Sequence, residues 1–312
     1  MVTCSMDGRT LTVPKGSTIL KAAEQAGIPI PHLCFLKDIN EIGACRMCMV
    51  EVEGTERLVP ACNTAVTEGM VIHTNSPRVR QARKTNLRLI LSQHNSNCTV
   101  CVRSGNCQLQ RLSHDLNIHF QPYEVQLERS HVDLEVPIVR EASKCIKCMR
   151  CIQICDKIQG MHIWDVAGTG SRTTVDVSYN RSLKNTDCTF CGQCVTHCPT
   201  GALTVRDDTN RALRALADPE ITTVVQVAPA VRVAWAEAFG LPKRQATTGR
   251  MVAALKRIGF DYVFDTNFAA DLTIMEEGSE LLERLSHRGK YRWPMFTSCC
   301  PGWVRFVKTQ FP

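Results

Sequence analysis

Cysteine carries the chemistry of this 312-residue chain, which contains 18 of them. Eight form one pattern written twice: C-x2-C-x2-C-x3-C runs through Cys145, Cys148, Cys151 and Cys155, and again through Cys188, Cys191, Cys194 and Cys198. Three thiolates at intervals of three residues wrap one iron–sulfur cubane, and the fourth reaches across to the other. The spacing therefore assigns one [4Fe–4S] cluster to Cys145, Cys148, Cys151 and Cys198, and a second to Cys188, Cys191, Cys194 and Cys155. Pro199 completes the motif in the second copy; in the first, Asp156 stands in its place, which alters the local backbone but removes no ligand.

Two further constellations precede the repeat. Cys34, Cys45, Cys48 and Cys62 are spaced C-x10-C-x2-C-x13-C, with Gly43 and Ala44 before the close pair. Small residues let a loop turn its amides inward onto sulfur, and the set fits a [2Fe–2S] centre. Zinc takes the same thiolates, but a Cys4 zinc site usually has two close pairs, and here there is one. His94, Cys98, Cys101 and Cys107 form H-x3-C-x2-C-x5-C. The ligand triad brackets the histidine at fixed spacing, so His94 is expected to be the fourth ligand of a third [4Fe–4S] cluster. A neutral imidazole in place of a thiolate removes one negative charge and raises the potential relative to an all-cysteine cluster in similar surroundings. Four redox centres in one chain form an electron wire rather than structural staples. Cys4 has no partner at ligand spacing and is expected to be a half-buried strand residue. The remaining pair, Cys299-Cys300, lies in TSCCPGW. Vicinal thiols cannot easily bind one metal together, so each has its own task.

The bulk properties agree with a reducing compartment. The opening MVTCSMDGRTLTVPKG has neither the basic and apolar segments nor the cleavage site of a signal peptide, which points to the cytoplasm. The most apolar stretch, 221–240, is broken by Gln226, Pro229, Arg232 and Glu237, so no membrane span is expected. The formal charge of +7 counts every thiol as neutral. Four oxidised clusters with these ligands contribute roughly −7, so the basic excess is read as internal compensation. No Lys/Arg run with interleaved aromatics points to nucleic acid.

The elements that must position these ligands follow from local pattern. Val2–Met6 and Arg9–Val13 flank Asp7-Gly8, a hairpin signal. A helix capped by Ser17 and ended by Gly27 follows, with strands at 49–52, 57–61 and 70–73. Ser76-Pro77 opens a second helix reaching to about His94, a helical segment spans 107–116, and an irregular connector leads to Glu141. Thr222–Ala228 is expected to be a buried strand, followed by a helix around Met251–Ile258, a strand at Tyr262–Phe264 and a helix over Leu272–Leu285. The expected architecture is multidomain α+β: a β-grasp [2Fe–2S] ferredoxin-type domain at 1–78 and a short helical His/Cys3 cluster domain at 79–135. A double [4Fe–4S] ferredoxin-like domain at 136–210 and an α/β domain at 211–312 complete it.

TSCCPGWVRF resembles the first signature of the iron-only ([FeFe]) hydrogenase catalytic domain, and the upstream order of clusters resembles multi-cluster large subunits such as those of NAD(P)-linked hydrogenases. The first 210 residues also resemble the large iron–sulfur subunit of complex I. The resemblance implies that Cys300 holds the cubane of the H-cluster, where protons and electrons interconvert with H2. It further implies that Cys299 passes protons to the di-iron unit. IMEEGSE, at 274–280, is similar to the family's helix and suggests Glu277, Glu280 and Arg284 as outer members of a proton path, against the alternative of a solvated helix face. Ala228-Pro229-Ala230 resembles the segment beside the di-iron cyanide ligands. The family's other two signatures, with three more H-cluster cysteines, are not in these 312 residues. A truncated catalytic domain is therefore expected, inactive toward hydrogen by itself, with the H-cluster present only if the rest is supplied. The implied partners are ferredoxin or the NAD(P)H-oxidising flavoprotein and iron–sulfur subunits. The competing reading is a non-catalytic electron-transfer module resembling the complex I or formate dehydrogenase iron–sulfur subunit; a zinc-binding interaction protein is a third.

Overall fold

The computed structural model describes residues 1–128 and 132–312. Two compact units emerge: Met1–Arg206 together with Cys300–Pro312, and Asp207–Cys299.

The first unit opens with the expected hairpin. Strands β1 (Val2–Met6) and β2 (Arg9–Val13) pair antiparallel across Asp7 and Gly8, whose φ values of 48° and 79° are those of a turn with two left-handed residues. Helix α1 (Ile19–Gln25) starts one residue later than the sequence suggests. Thr18 is the cap, its Oγ1 accepting the Lys21 N–H at 3.3 Å, while the Ser17 N–H closes a turn onto the Pro14 carbonyl. Strands β3 (Met49–Val52), β4 (Val59–Pro60) and β5 (Val71–His73) complete a five-stranded mixed sheet in the order β2-β1-β5-β3-β4, with β1 and β5 parallel. The strand expected over 57–61 shrinks to Val59–Pro60, although the Ala61 N–H still donates to the Cys48 carbonyl at 2.9 Å. Ile19, Leu20, Ala22 and Ala23 of α1 pack onto Met6, Val50 and Ile72, all nearly solvent-free. Cys4 is 2 % exposed in this core, fully rather than half buried.

Helix α2 (Pro77–Leu91), capped by Ser76 Oγ on the Val79 N–H, carries the chain from this sheet towards His94. Helix α3 (Gln108–Asp115) follows. The segment before Glu141 contains a strand absent from the sequence reading: β6 (Ile138–Arg140) pairs antiparallel with β9 (Leu203–Val205) and clamps the cysteine repeat between its ends. Within the repeat lie α4 (Arg150–Ile154), the hairpin of β7 (Trp164–Ala167) and β8 (Thr174–Val177), and α5 (Gln193–His197). The core here is built around the cysteines themselves: Cys155, Cys188, Cys194 and Cys198 are buried with Ile138, Ile154, Trp164 and Leu203.

The second unit contains α6 (Thr209–Ala217), β10 (Val224–Val227), α7 (Pro229–Ala238), α8 (Thr248–Ile258), β11 (Tyr262–Asp265) and α9 (Thr266–Ser286). Strands β10 and β11 pair in parallel, as expected of an α/β alternation. Val224 is 59 % exposed, however, so β10 is buried only at Val227 and not as a whole. Among the described residues no helix is long and apolar enough to cross a membrane. The last helix, α10 (Pro301–Gln310), belongs to the first unit, where Phe306 packs against the cysteine-repeat core.

Candidate functional site

The two copies of the repeat share a backbone device that sequence spacing does not reveal. In the first, Lys147 and Met149 have φ of 54° and 62°; in the second, Phe190 and Gly192, at the same offsets, have 53° and 77°. Left-handed geometry at a non-glycine residue costs roughly 1–2 kcal/mol. Three such residues persist because the turn aims amides at sulfur. The Lys147 N–H donates to Cys145 Sγ at 3.4 Å and the Phe190 N–H to Cys188 Sγ at 3.4 Å. Cys155 Sγ accepts the Ile163 N–H at 3.5 Å.

Tertiary packing sorts these cysteines into two cavities. One is lined by Cys145, Cys148, Cys151 and Cys198, and the other by Cys155, Cys188, Cys191 and Cys194. Trp164, only 3 % exposed, stands in the wall of both. Burial pushes the Cys148 thiol up to about 12, Cys188 to about 11 and Cys194 to about 12, and raises Cys151 well above its ordinary value. Without a cation these sulfurs stay protonated; a metal must displace the protons, so loading weakens as pH falls. Among the described residues no three His, Cys, Asp or Glu side chains form a single-ion site.

Cys34, Cys45, Cys48 and Cys62 are buried, Cys48 and Cys62 in the core of the sheet and Cys34 and Cys45 beside Met47, Leu87 and Cys148. Cys45 Sγ accepts the N–H groups of Leu33 and Cys34, both at 3.4 Å, and the Cys45 N–H returns to Cys34 Sγ at 3.5 Å. The Cys34 S–H, with the amides of Met47, Leu33 and Cys34, pulls Cys45 down to about 6 against the opposing effect of burial, and Cys34 is raised in turn. Gly43, at φ 68°, is required twice over: a Cβ there would also come within 3.0 Å of Asn63 Nδ2.

His94 is 8 % exposed, and burial lowers its pKa, so the ring is neutral near pH 7. Its Nδ1 lies 3.1 Å from the Lys144 carbonyl, an acceptor only, which places the proton on Nδ1 and leaves the Nε2 lone pair for a ligand. Cys98 is raised by burial and then by the neighbouring Cys101 and Cys107, so the three thiols share one neighbourhood. Gly201 fits against it: a Cβ would stand 2.9 Å from Cys101 Sγ.

The sites are stitched together by groups that spacing could not identify. Asn40, fully buried, donates its two Nδ2 protons to the Cys34 carbonyl at 2.9 Å and the Cys148 carbonyl at 2.8 Å. Arg150 donates to the Cys34 and Phe35 carbonyls at 3.2 and 2.8 Å. Arg103 donates to the Cys198 carbonyl at 3.0 Å, and Arg305 of α10 to the Thr186 carbonyl at 2.6 Å.

The C-terminal candidates are less gathered. Cys300 is the N-cap of α10, its Sγ accepting the Trp303 N–H at 3.4 Å, and both Cys299 and Cys300 are exposed. A Cβ on Gly302 would lie 3.2 Å from the Thr189 carbonyl, so the turn after Cys300 sits against the Cys188–Cys191 loop. Glu280 is held by Arg284, with Nε and Nη2 at 2.9 and 2.6 Å from Oε1, and Glu277 lies one turn earlier on α9; no described contact joins either to Cys299. Ala228 is the N-cap of α7, with Pro229 at its first position.

The order of sites defines a chain of ferredoxin-type iron–sulfur domains continued by an iron-hydrogenase-type domain. Family comparisons agree along the chain: a 2Fe-2S iron-sulfur cluster binding domain matches residues 1–77, and the NADH-ubiquinone oxidoreductase-G iron-sulfur binding region 83–122. The ferredoxin-like domain of NADH-quinone oxidoreductase subunit 3 matches 136–204, and the iron only hydrogenase large subunit, C-terminal domain, matches 221–312. The NADP-reducing hydrogenase subunit HndD of Solidesulfovibrio fructosivorans is 47 % identical over 326 residues, covering 100 % of this chain and 55 % of that protein. Iron hydrogenase 1 of Clostridium pasteurianum is 36 % identical over 315 residues, covering 100 % of this chain and 54 % of its own length. The fold of a solved NAD+-reducing [NiFe]-hydrogenase chain superposes with a TM-score of 0.61 at 25 % identity, over 66 % of this chain and 87 % of that one. The chain is thus similar along its length to iron-only hydrogenase subunits, and its N-terminal part to the large iron–sulfur subunit of complex I. It spans about half the length of the curated relatives it matches.

Proposed function

We propose that this chain is the electron-relay part of an iron-only hydrogenase, carrying one [2Fe–2S] and three [4Fe–4S] centres to a hydrogen-handling site begun by Cys299 and Cys300. The centres occupy a β-grasp domain at 1–78, a His/Cys3 domain at 79–135 and a double ferredoxin-like domain at 136–210, ahead of the first part of a catalytic domain. Their ligands are Cys34, Cys45, Cys48 and Cys62; His94, Cys98, Cys101 and Cys107; and the two crossed sets of the repeat. When bound, the clusters supply one-electron transfer; the polypeptide holds them at fixed separations and excludes water. The reading is carried by one observation: each of the two cavities is lined by three cysteines of one repeat copy and the last cysteine of the other.

Two entrances converge on the Cys145 set, one through Asn40 between Cys34 and Cys148, the other through the Lys144 carbonyl held by His94. The exit lies where the turn after Cys300 meets the Cys188 loop. Cys300 would ligate the H-cluster cubane, Cys299 would relay protons from the Glu277 and Glu280 side, and Ala228-Pro229 would face the di-iron unit once the rest of the catalytic domain is supplied. Electrons would come from ferredoxin or a NAD(P)H-oxidising flavoprotein partner.

Anaerobic reconstitution of the chain tests this. About 14 irons with matching sulfide and four distinct EPR signals are expected; a colourless chain that takes up stoichiometric zinc and no iron would refute it. His94→Cys is expected to lower the potential of one [4Fe–4S] centre and leave the others unmoved in an EPR-monitored titration, since a thiolate adds a negative charge. An unchanged set of potentials would remove His94 from the ligands.

A further inference from the structure

Arg83 lies on α2, 5 % exposed, between the fully buried Val79 and Leu87. Its Nη2–H donates to the carbonyl of Met49, the residue after Cys48, at 2.8 Å, and its Nε is buried with no partner. Among the described residues no carboxylate pairs with it. Arg140 is answered by Glu128 and Asp176, Arg232 by Asp265 and Arg284 by Glu280. Arg88, Arg103 and Arg305 also have a buried Nε with no partner, but among these described residues only Arg83 is itself buried as a whole. Among the described residues the charged groups that favour the Arg83 cation are Cys48 and Asp7. The Asp7 carboxylate is already taken up by the N–H and hydroxyl of Thr74. Burial brings the guanidinium down only to about 10, so it remains charged.

An unpaired cation in a core is strongly unfavourable unless an anion lies beside it. A four-thiolate [2Fe–2S] centre is such an anion, carrying about −2 when oxidised and one negative charge more when reduced. We propose that Arg83 is the counter-charge of the centre held by Cys34, Cys45, Cys48 and Cys62, and that by favouring its more negative, reduced state this residue sets the reduction potential at that entrance. The proposal rests on the cofactor reading of those four cysteines. Arg83 is a positioning residue: it touches the backbone at the start of β3, at Met49, and not the cluster's ligands themselves.

The test uses the full chain, anaerobically reconstituted, as wild type, Arg83→Met and Arg83→Lys. Methionine keeps the apolar stem without the charge, and lysine keeps the charge. In R83M the reduced-to-oxidised ratio of the [2Fe–2S] signal at a fixed ambient potential is expected to fall about tenfold, about 59 mV for one electron. R83K stays near wild type, and the other three centres do not move. Loss of [2Fe–2S] absorption in R83M but not in R83K also supports a charge requirement. In the iron-free chain, where the anion is gone, R83M is expected to melt no lower than wild type. An unchanged potential in R83M, equal shifts in R83M and R83K, or equal destabilisation of R83M with and without iron would overturn the proposal. Failure of the wild-type chain to show any [2Fe–2S] signal would instead overturn the cofactor reading beneath it.

Discussion

Cys198→Ala is expected to remove the cubane held by Cys145, Cys148 and Cys151 and to leave the one held by its own sequence neighbours Cys188, Cys191 and Cys194. The reason is topological. Strand β9 returns antiparallel onto β6, and this brings the end of the second repeat copy beside the start of the first, so that Cys198 lines the cavity of the Cys145 set. Cys155 is delivered in the opposite direction at the end of α4, beside Cys188. The variant should lose about four of 14 irons and one EPR signal, and Cys155→Ala should lose the other signal. If each substitution abolished the centre of its own copy, ligation would be uncrossed and the two cavities would have no bearing on it.

Iron removal should divide the first unit into parts of very different stability. The five-stranded sheet keeps an apolar core of its own, in which Met6, Ile19, Val50 and Ile72 are 0 % exposed. The cysteine-repeat region has only the two-stranded pairs β6–β9 and β7–β8, and two-stranded pairs are marginal without further packing. Its interior is lined by thiols that burial holds protonated when no metal is present. Chelation should therefore lower hydrogen-exchange protection across 138–205 by at least about a thousandfold, about 4 kcal/mol, while 2–73 stays protected. Because loss of iron takes up protons, the half-life of the clusters should shorten as pH falls. Uniform protection across both regions after iron loss would show that the repeat has a core independent of its metal.

Much of the architecture was legible because its signals are local. Asp7-Gly8 announces a turn with two left-handed residues, and Ser76-Pro77 announces a helix start; both are where the pattern puts them. Strand β6 was illegible for the opposite reason: three residues carry no period, and its partner β9 lies 65 residues further on. The run around Val224 looks like a buried strand because apolar content is all that sequence offers. Its exposure depends on which elements cover it, and among the described residues only β11 pairs with it. Cap choice at Thr18 rather than Ser17 turned on one competing hydrogen bond, from the Ser17 amide to Pro14.

The cysteine positions were determined by sequence alone, because intervals of two and three residues are fixed by backbone geometry whatever surrounds them. The spacing also suggested which repeat cysteines go together; only the tertiary structure decided what links one site to the next. Asn40 meets Cys148 across 108 residues, Arg150 meets Cys34 across 116, and Arg83 reaches Met49 across 34. Nothing local marks an asparagine or arginine for such a place. An amide becomes a bridge, and a guanidinium a counter-charge, only after packing has removed water and left it no other partner.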